Sequence, residues 1–462
     1  MRYGLIRLDI EDFLTPESDQ ALQAMLDRLE SLHLPASLGF VGEKVTAMVG
    51  RGEEAVLRQA GRHKAVGFHS ATHSRHPTLA EELEQLDFEP GVQRFVERER
   101  VGVEAVARAV APPKFFTQPG ANWVPQAAEA LPQLGISIYF SEALNSYLVP
   151  LTQPVWLGGT LHFSPPVPTP LPFLHGLPDN LEAALQRLKR VEEEIPEGSF
   201  FCLMMHPTEL VTTQFWDAVN FGGGRTPAEE KAAPLRSAAN REAALAAFTR
   251  YLQEAKALTG VQWVDVVTVS ERVQPRQPEE LSRALLDEHV GRCGLYPLRH
   301  DRGVFSAAQL VWALAYFALH PGQSQVKVPL VAAPRRWTPR PWWQDAWTRS
   351  EALAAAEAWV HGGNPGGLSA TVTLPDQVGP GIPIEVAAAS WWEARQGGGD
   401  VLPRVELPLA FLGYVKDPAD LHWRWPIFAP DFRPFRLWME TRRLAWTIAP
   451  VRWHEAETYL HG

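Results

Sequence analysis

Across residues 1–275, short apolar runs alternate with stretches of helical spacing, and no other feature constrains the fold as strongly. Residues 3–8 read as a buried strand. Residues 18–32 then set Leu22, Met25, Leu26 and Leu29 at helical intervals. Further strands are expected at 36–41, 65–68, 114–117, 136–140, 200–205 and 261–269, with helices at 53–61, 78–109, 125–134, 181–194 and 241–258. Alternation of this kind implies an α/β protein with a parallel sheet. So many repeats suggest a barrel rather than a small open sheet. In a barrel the strand C-termini gather on one face, where active sites form.

The first strand ends in Asp9-Ile10-Glu11-Asp12. Burying three carboxylates is costly unless a metal, a proton or hydrogen-bond donors compensate. The plainer alternative is a solvated turn that caps the next helix. The third strand ends at His69-Ser70-Ala71-Thr72-His73, whose i, i+4 histidines are expected on one face of a helical turn, as chelation needs. Two histidines and one carboxylate leave a coordination position open for water. His76 lies one turn on as an alternative ligand, and His206 closes another strand. Strand alternation puts Asp9 and Glu11 on one side, and a kink at the strand end could equally well present Asp12. The ligand stays open between Glu11 and Asp12.

Taken in order, these segments resemble the NodB-type polysaccharide deacetylases (carbohydrate esterase family 4). The resemblance runs through Asp9-Ile10-Glu11-Asp12, the 34–42 strand, Gly67-Phe68-His69-Ser70-Ala71-Thr72-His73, Phe116-Thr117-Gln118-Pro119 and Met205-His206-Pro207-Thr208-Glu209-Leu210. It implies a distorted (β/α) barrel whose divalent ion, usually zinc, is held by His69, His73 and a carboxylate. If the family's acids are the adjacent pair, Glu11 is the base and Asp12 the ligand; if they are the spaced pair, which the strand alternation favours, Asp9 is the base and Glu11 the ligand. His206 is the acid that protonates the departing amine. Backbone N–H groups around Thr117, Gln118 and Pro119 would line the substrate side. Apart from the resemblance, the composition of 214–227, with Trp216, Phe221 and Gly222-Gly223-Gly224, suits either a mobile lid tipped by Trp216 or an ordinary long surface loop. Two departures stand out. Thr117 occupies the place of the family's base-orienting arginine, and Glu142 stands near the place of a later acidic residue.

A linker is read at 274–278, and beyond it the composition shifts: 13 of the 17 tryptophans follow residue 280. Residues 276–462 are expected to form a second, mixed, largely helical, Trp-rich domain with helices at 305–319 and 350–360. It would pack over the barrel or form a homodimer contact. Most tryptophans there read as core fillers. The pairs Trp342-Trp343 and Trp391-Trp392 read as the better binding candidates.

A net charge of −10 argues against binding nucleic acid through bulk electrostatics, and no apolar run is long enough to span a bilayer. Two distant cysteines, Cys202 and Cys293, and the absence of a secretory pattern point to a reducing cytoplasm. The expected activity is metal-dependent removal of an acetyl group from an N-acetylated sugar or a small soluble analogue. The alternatives are a carbon–nitrogen hydrolase acting on a non-sugar amide, and a non-catalytic binding or assembly protein on a deacetylase scaffold.

Overall fold

The computed structural model describes residues 1–120, 122–140, 153–164, 177–301, 303–333, 346–362, 372–373, 377–378, 382–395, 399–403 and 426–454. Its centre is a curled half-barrel sheet. The strands are β1 (Arg2–Ile10), β2 (Ser37–Phe40), β3 (Ala65–Phe68), β4 (Phe115–Thr117), β5 (Ile138–Phe140), β6 (Val155–Leu157), β7 (Thr160–Phe163), β8 (Phe200–Met205) and β9 (Val261–Val264). The order runs β6-β7-β5-β4-β3-β2-β1-β8, with β9 beside the start of β1. All neighbours pair in parallel except β6 with β7. Among the described residues no pairing joins the two edges, so the sheet curls without closing.

The helices that cover it are α1 (Glu17–Leu32), α2 (Gly42–Gly50), α3 (Glu54–Ala60), α4 (Leu79–Leu83), α5 (Phe88–Ala109), α6 (Ala127–Ala130), α7 (Leu177–Glu194), α8 (Thr208–Val211), α9 (Trp216–Phe221), α10 (Ala238–Lys256) and α11 (Val266–Ser270).

Alternation along β1 explains both faces. Ile6, Leu8 and Ile10 pack outward into the main core with Met25, Leu26 and Phe40. Tyr3 and Leu5 point inward with Phe115, Phe140 and Phe200. Arg7, Asp9 and Glu11 continue the inward parity. The concave face therefore turns from apolar to charged as it nears the strand C-termini.

Three differences from the expected elements have local causes. The helix expected over 78–109 is two helices: Thr78 and Glu81 form a capping box for α4, and Asp87 is extended before α5. The strand expected to run to 269 stops at Val264, because the Asp265 carboxylate accepts from the Thr268 N–H and starts α11. Helix α2 and strands β6 and β7 escaped the periodicity reading: α2 is short, and each of the two strands has four residues or fewer.

After residue 275 the chain returns to the barrel. Ala449–Pro450 pairs antiparallel with β6, and Val273 bridges Trp453, whose ring stacks 6.1 Å from Phe200. Trp123 donates its indole N–H to Thr441 at 2.7 Å. Helices Ala307–Leu319 and Arg349–Gly362 lie close to the expected ranges. Of the terminal tryptophans only Trp438 is in the last helix, Phe435–Leu444. Trp446 and Trp453 follow it, buried. Trp391 is buried with its N–H on the Ala352 carbonyl, and Trp392 lies under the Arg395 guanidinium. Trp391 is thus part of the core, while Trp392 stays half-buried. Trp342, Trp343 and Glu142 lie outside the described residues.

Candidate metal centre

Glu11, His69 and His73 converge at the C-terminal end of the sheet, each almost wholly buried, and are placed to hold a metal ion. Nε2 of His69 and Nε2 of His73 both lie 3.0 Å from Glu11 Oε2. The ring of His69 is oriented by backbone: its Nδ1 faces the Thr117 carbonyl at 3.1 Å and can only donate to it. Nε2 is thereby left as the lone-pair nitrogen, the form a ligand needs. The contact from His73 Nε2 lacks hydrogen-bond direction, so this buried nitrogen has no hydrogen-bond partner. A buried polar atom left in that state is costly in a purely structural contact but natural for a ligand of a shared cation. The donor set, two imidazoles and a carboxylate, suits zinc and its neighbours.

No helical turn carries the two histidines, contrary to the expectation from spacing. Ser70 and His73 take left-handed backbone, with φ of 68° and 51°, and Ser70 Oγ accepts the His73 N–H at 2.9 Å. Several contacts hold this uncommon turn. The Gly42 N–H donates to the Ser70 carbonyl, and the Glu43 N–H to the Ala71 carbonyl. The Ala71 N–H donates to the Glu99 carboxylate of α5 at 2.7 Å. Gly102 lies so close that a Cβ there would sit 2.8 Å from the Ala71 Cα. Glu99 is fully buried, and burial pushes its carboxyl up to about 7 against the opposing pull of Arg98 and the Ala71 N–H.

The three acidic residues divide sharply. Glu11 joins the histidines. Asp12 stands apart. Its Oδ1 accepts the N–H groups of Leu14 and Thr15 at 3.0 and 2.9 Å, and its Oδ2 accepts the Thr208 hydroxyl. Its carbonyl receives the buried Lys44 ammonium at 2.7 Å. An aspartate in such a turn shapes the loop. Of the two candidates for the carboxylate ligand, the geometry groups only Glu11 with the histidines.

Asp9 is buried with Oδ2 at 2.9 Å from the Arg7 guanidinium, and its Oδ1 has no hydrogen-bond partner. Arg7 lies over the Phe140 ring. The sequence reading passed over this arginine, although i, i+2 spacing on one strand signals it. It stands beside Asp9, whereas Thr117 on β4 serves His69 through its carbonyl and its hydroxyl. Glycine at 39 makes this possible: a Cβ there would lie 2.8 Å from Thr117 Oγ1 and 3.4 Å from Asp9 Oδ1.

His206 completes the ring of groups, with Nε2 3.9 Å from Asp9 Oδ2 and 4.0 Å from Glu11 Oε2. On its other side Nδ1 lies 3.4 Å from Glu209. Burial opposes its charge, but Glu11, Glu209 and Asp9 together raise its pKa to about 9.

The remaining residues singled out from sequence take structural places. Gln118 donates to the Gly120 carbonyl, and Pro119 is buried. His76 pairs with Glu81 at 2.7 Å and is not part of the trio. Trp216 is fully buried in α9, edge-on to Phe13, with its N–H on Glu11 Oε1 at 2.8 Å. The aromatic tip expected for a lid is thus a wall of the centre, because its ring is more favourably placed in the core than in water. Two residues missed in sequence stand behind His73: Ser74 Oγ is 2.6 Å from its Nδ1, and Ser74 donates to Asp217 at 3.0 Å.

No family model matches the chain, and no curated protein matches it. Solved structures of similar outline include a protein assigned as a polysaccharide deacetylase from Mycobacterium smegmatis, at 14% identity and a TM-score of 0.37 over 58% of this chain and 89% of that one. A family 4 acetyl xylan esterase from Clostridium thermocellum, solved with a cobalt ion, shows 14% identity and a TM-score of 0.30 over 58% and 90%. A carbohydrate esterase family 4 pseudoenzyme from Bacillus anthracis shows 10% identity and 0.29 over 58% and 64%. Likeness this distant assigns no residue a role.

Proposed function

We propose that the protein is a metal-dependent amide hydrolase that removes the acetyl group from an N-acetylated sugar or a small soluble analogue. The observation that carries this reading is the meeting of Glu11, His69 and His73 beside a buried aspartate with one free oxygen. Glu11, His69 and His73 would hold the ion. A divalent cation there supplies acidity to water and polarises an amide carbonyl.

The chain's own residues do the rest. Arg7 fixes Oδ2 of Asp9 and leaves Oδ1 to take a proton from the attacking water. His206 holds a proton on Nε2, 3.9 Å from Asp9, and gives it to the departing nitrogen. Water adds to the carbonyl carbon, the carbon–nitrogen bond breaks, and acetate and a free amine leave. The near-complete burial of these groups strengthens each electrostatic contact.

Metal analysis of the purified protein tests the reading first. Acetate release from N-acetylglucosamine oligomers follows, with Asp9→Asn as control. About one zinc or similar ion per chain and acetate release lost in Asp9→Asn are expected. Absence of any bound transition metal would remove the hydrolase reading and leave a binding protein on this scaffold.

A further inference from the structure

Trp216 and Asp217 are neighbours on α9, far in sequence from Glu11 and His73, yet each reaches one of them. The Trp216 indole donates to Glu11 Oε1 at 2.8 Å, on the carboxylate oxygen that the histidines do not face. Asp217 accepts from Ser74 Oγ at 3.0 Å, and Ser74 Oγ meets His73 Nδ1 at 2.6 Å. Trp216, Asp217 and Ser74 are all essentially inaccessible to solvent.

The direction of protons follows from chemistry. A carboxylate only accepts, so the Ser74 hydroxyl spends its hydrogen on Asp217. Its oxygen can then only accept from His73, and His73 must carry its proton on Nδ1. Nε2, which faces Glu11, is left as a lone pair. The indole meanwhile holds Oε1 and keeps Oε2 as the oxygen turned to the histidines.

We infer that the Trp216–Asp217 pair is a positioning device for the metal centre, fixing which oxygen of Glu11 and which nitrogen of His73 face the ion. The inference rests on the proposed metal binding and adds to it two residues that touch neither ion nor substrate. The segment that carries them is itself tied down. The Ala233 N–H donates to Thr15 Oγ1 at 3.0 Å, and Arg75 Nε meets Glu230 at 2.6 Å. The pair is therefore held in register with the strand end that carries Glu11.

Zinc affinity by competition with a chelating dye, together with the visible spectrum of the cobalt-substituted protein, tests this without any substrate. Trp216→Phe keeps the ring and removes the donor. Asp217→Asn keeps the shape and removes the charge. Ser74→Ala breaks the relay. Loss of such supporting groups commonly costs 10–100-fold in metal affinity. A fall in that range is expected for Trp216→Phe and Asp217→Asn, with an altered cobalt spectrum and unchanged melting of the metal-free protein. Wild type that binds zinc while all three variants bind it within twofold overturns the inference alone. Wild type that binds no transition metal overturns the hydrolase reading, and this inference with it. If Trp216→Phe does not fold, Asp217→Asn and Ser74→Ala decide between the same outcomes.

Discussion

The two histidines of the centre are braced in opposite ways. His69 leans on the sheet: its Nδ1 meets a main-chain carbonyl of β4, the strand next to its own. His73 leans on side chains, a serine and then an aspartate 143 residues further along from Ser74. A main-chain brace is set once strand pairing is set, and no single side-chain substitution removes it. A side-chain brace exists only if a distant segment folds over the site. One wall of the centre thus comes with the fold, and the other depends on the segment around α9.

Removing a proposed ligand from either wall should have the largest effect. His69→Ala and His73→Ala are both expected to lose bound zinc, measured as metal content per chain. They should also lose the rise in melting temperature that zinc gives wild type, worth about 2.7 kcal/mol at a concentration 100 times Kd. Retention of stoichiometric zinc by either variant would take that histidine out of the centre.

Next in size is Asp9, the proposed base. Asp9→Asn should bind zinc as wild type does and lose on the order of 10²–10⁴-fold in acetate release. Arg7→Met tests the same contact from its other side. It leaves a carboxylate buried without its cation, and should destabilise the fold by about 3–5 kcal/mol, seen in denaturant unfolding. A loss under 1 kcal/mol would mean that water reaches Asp9.

The turn between the histidines gives a smaller, pH-dependent effect. Glu99 has its carboxyl raised from 4.5 to about 7, so the folded state holds the proton more tightly than the unfolded one. Its contribution is full below about pH 4.5 and disappears as pH rises through 7. At about 1.4 kcal/mol per pH unit the interval is worth about 3 kcal/mol. Glu99→Gln keeps an acceptor for the Ala71 N–H and should flatten the fall in stability between pH 4.5 and 7. An unchanged slope would show that another group sets it.

The smallest effect should come from Thr117→Val. This removes a hydroxyl beside His69 and leaves the carbonyl, so zinc affinity should change by less than about threefold. A loss as large as that of Asp217→Asn would erase the distinction between the two walls.

Much of the main-chain side was legible in the sequence. Strands 65–68 and 200–205 were read to the residue, because their apolar runs are bounded sharply by His69 and His206. His69 and His73 were found by spacing, although the turn that unites them is left-handed rather than helical. The side-chain half was not legible. Ser74 and Asp217 carry no periodicity or motif, and only tertiary folding brings them together. Asp12 did carry a signal, since an aspartate three residues before a threonine N–H often closes a turn, but three acids in a row hid it. Trp216 misled by its neighbours: a glycine-rich stretch suggests mobility, yet α9 buries both of its large aromatic rings, Trp216 and Phe221.

The two-residue pairing of Ala449–Pro450 with β6 also bears on how the chain is made. During synthesis the strands from β1 to β9 emerge first, and among the described residues the outer edge of β6 gains its strand partner only at Ala449–Pro450, almost 200 residues after β9. The Gly158 N–H and the Trp123 indole wait over the same interval for Thr447 and Thr441. A bare edge is a template for strands of other molecules. Chains cut after residue 275 should therefore be far more prone to clump than the full-length protein, and the last strand acts as a late, self-supplied seal.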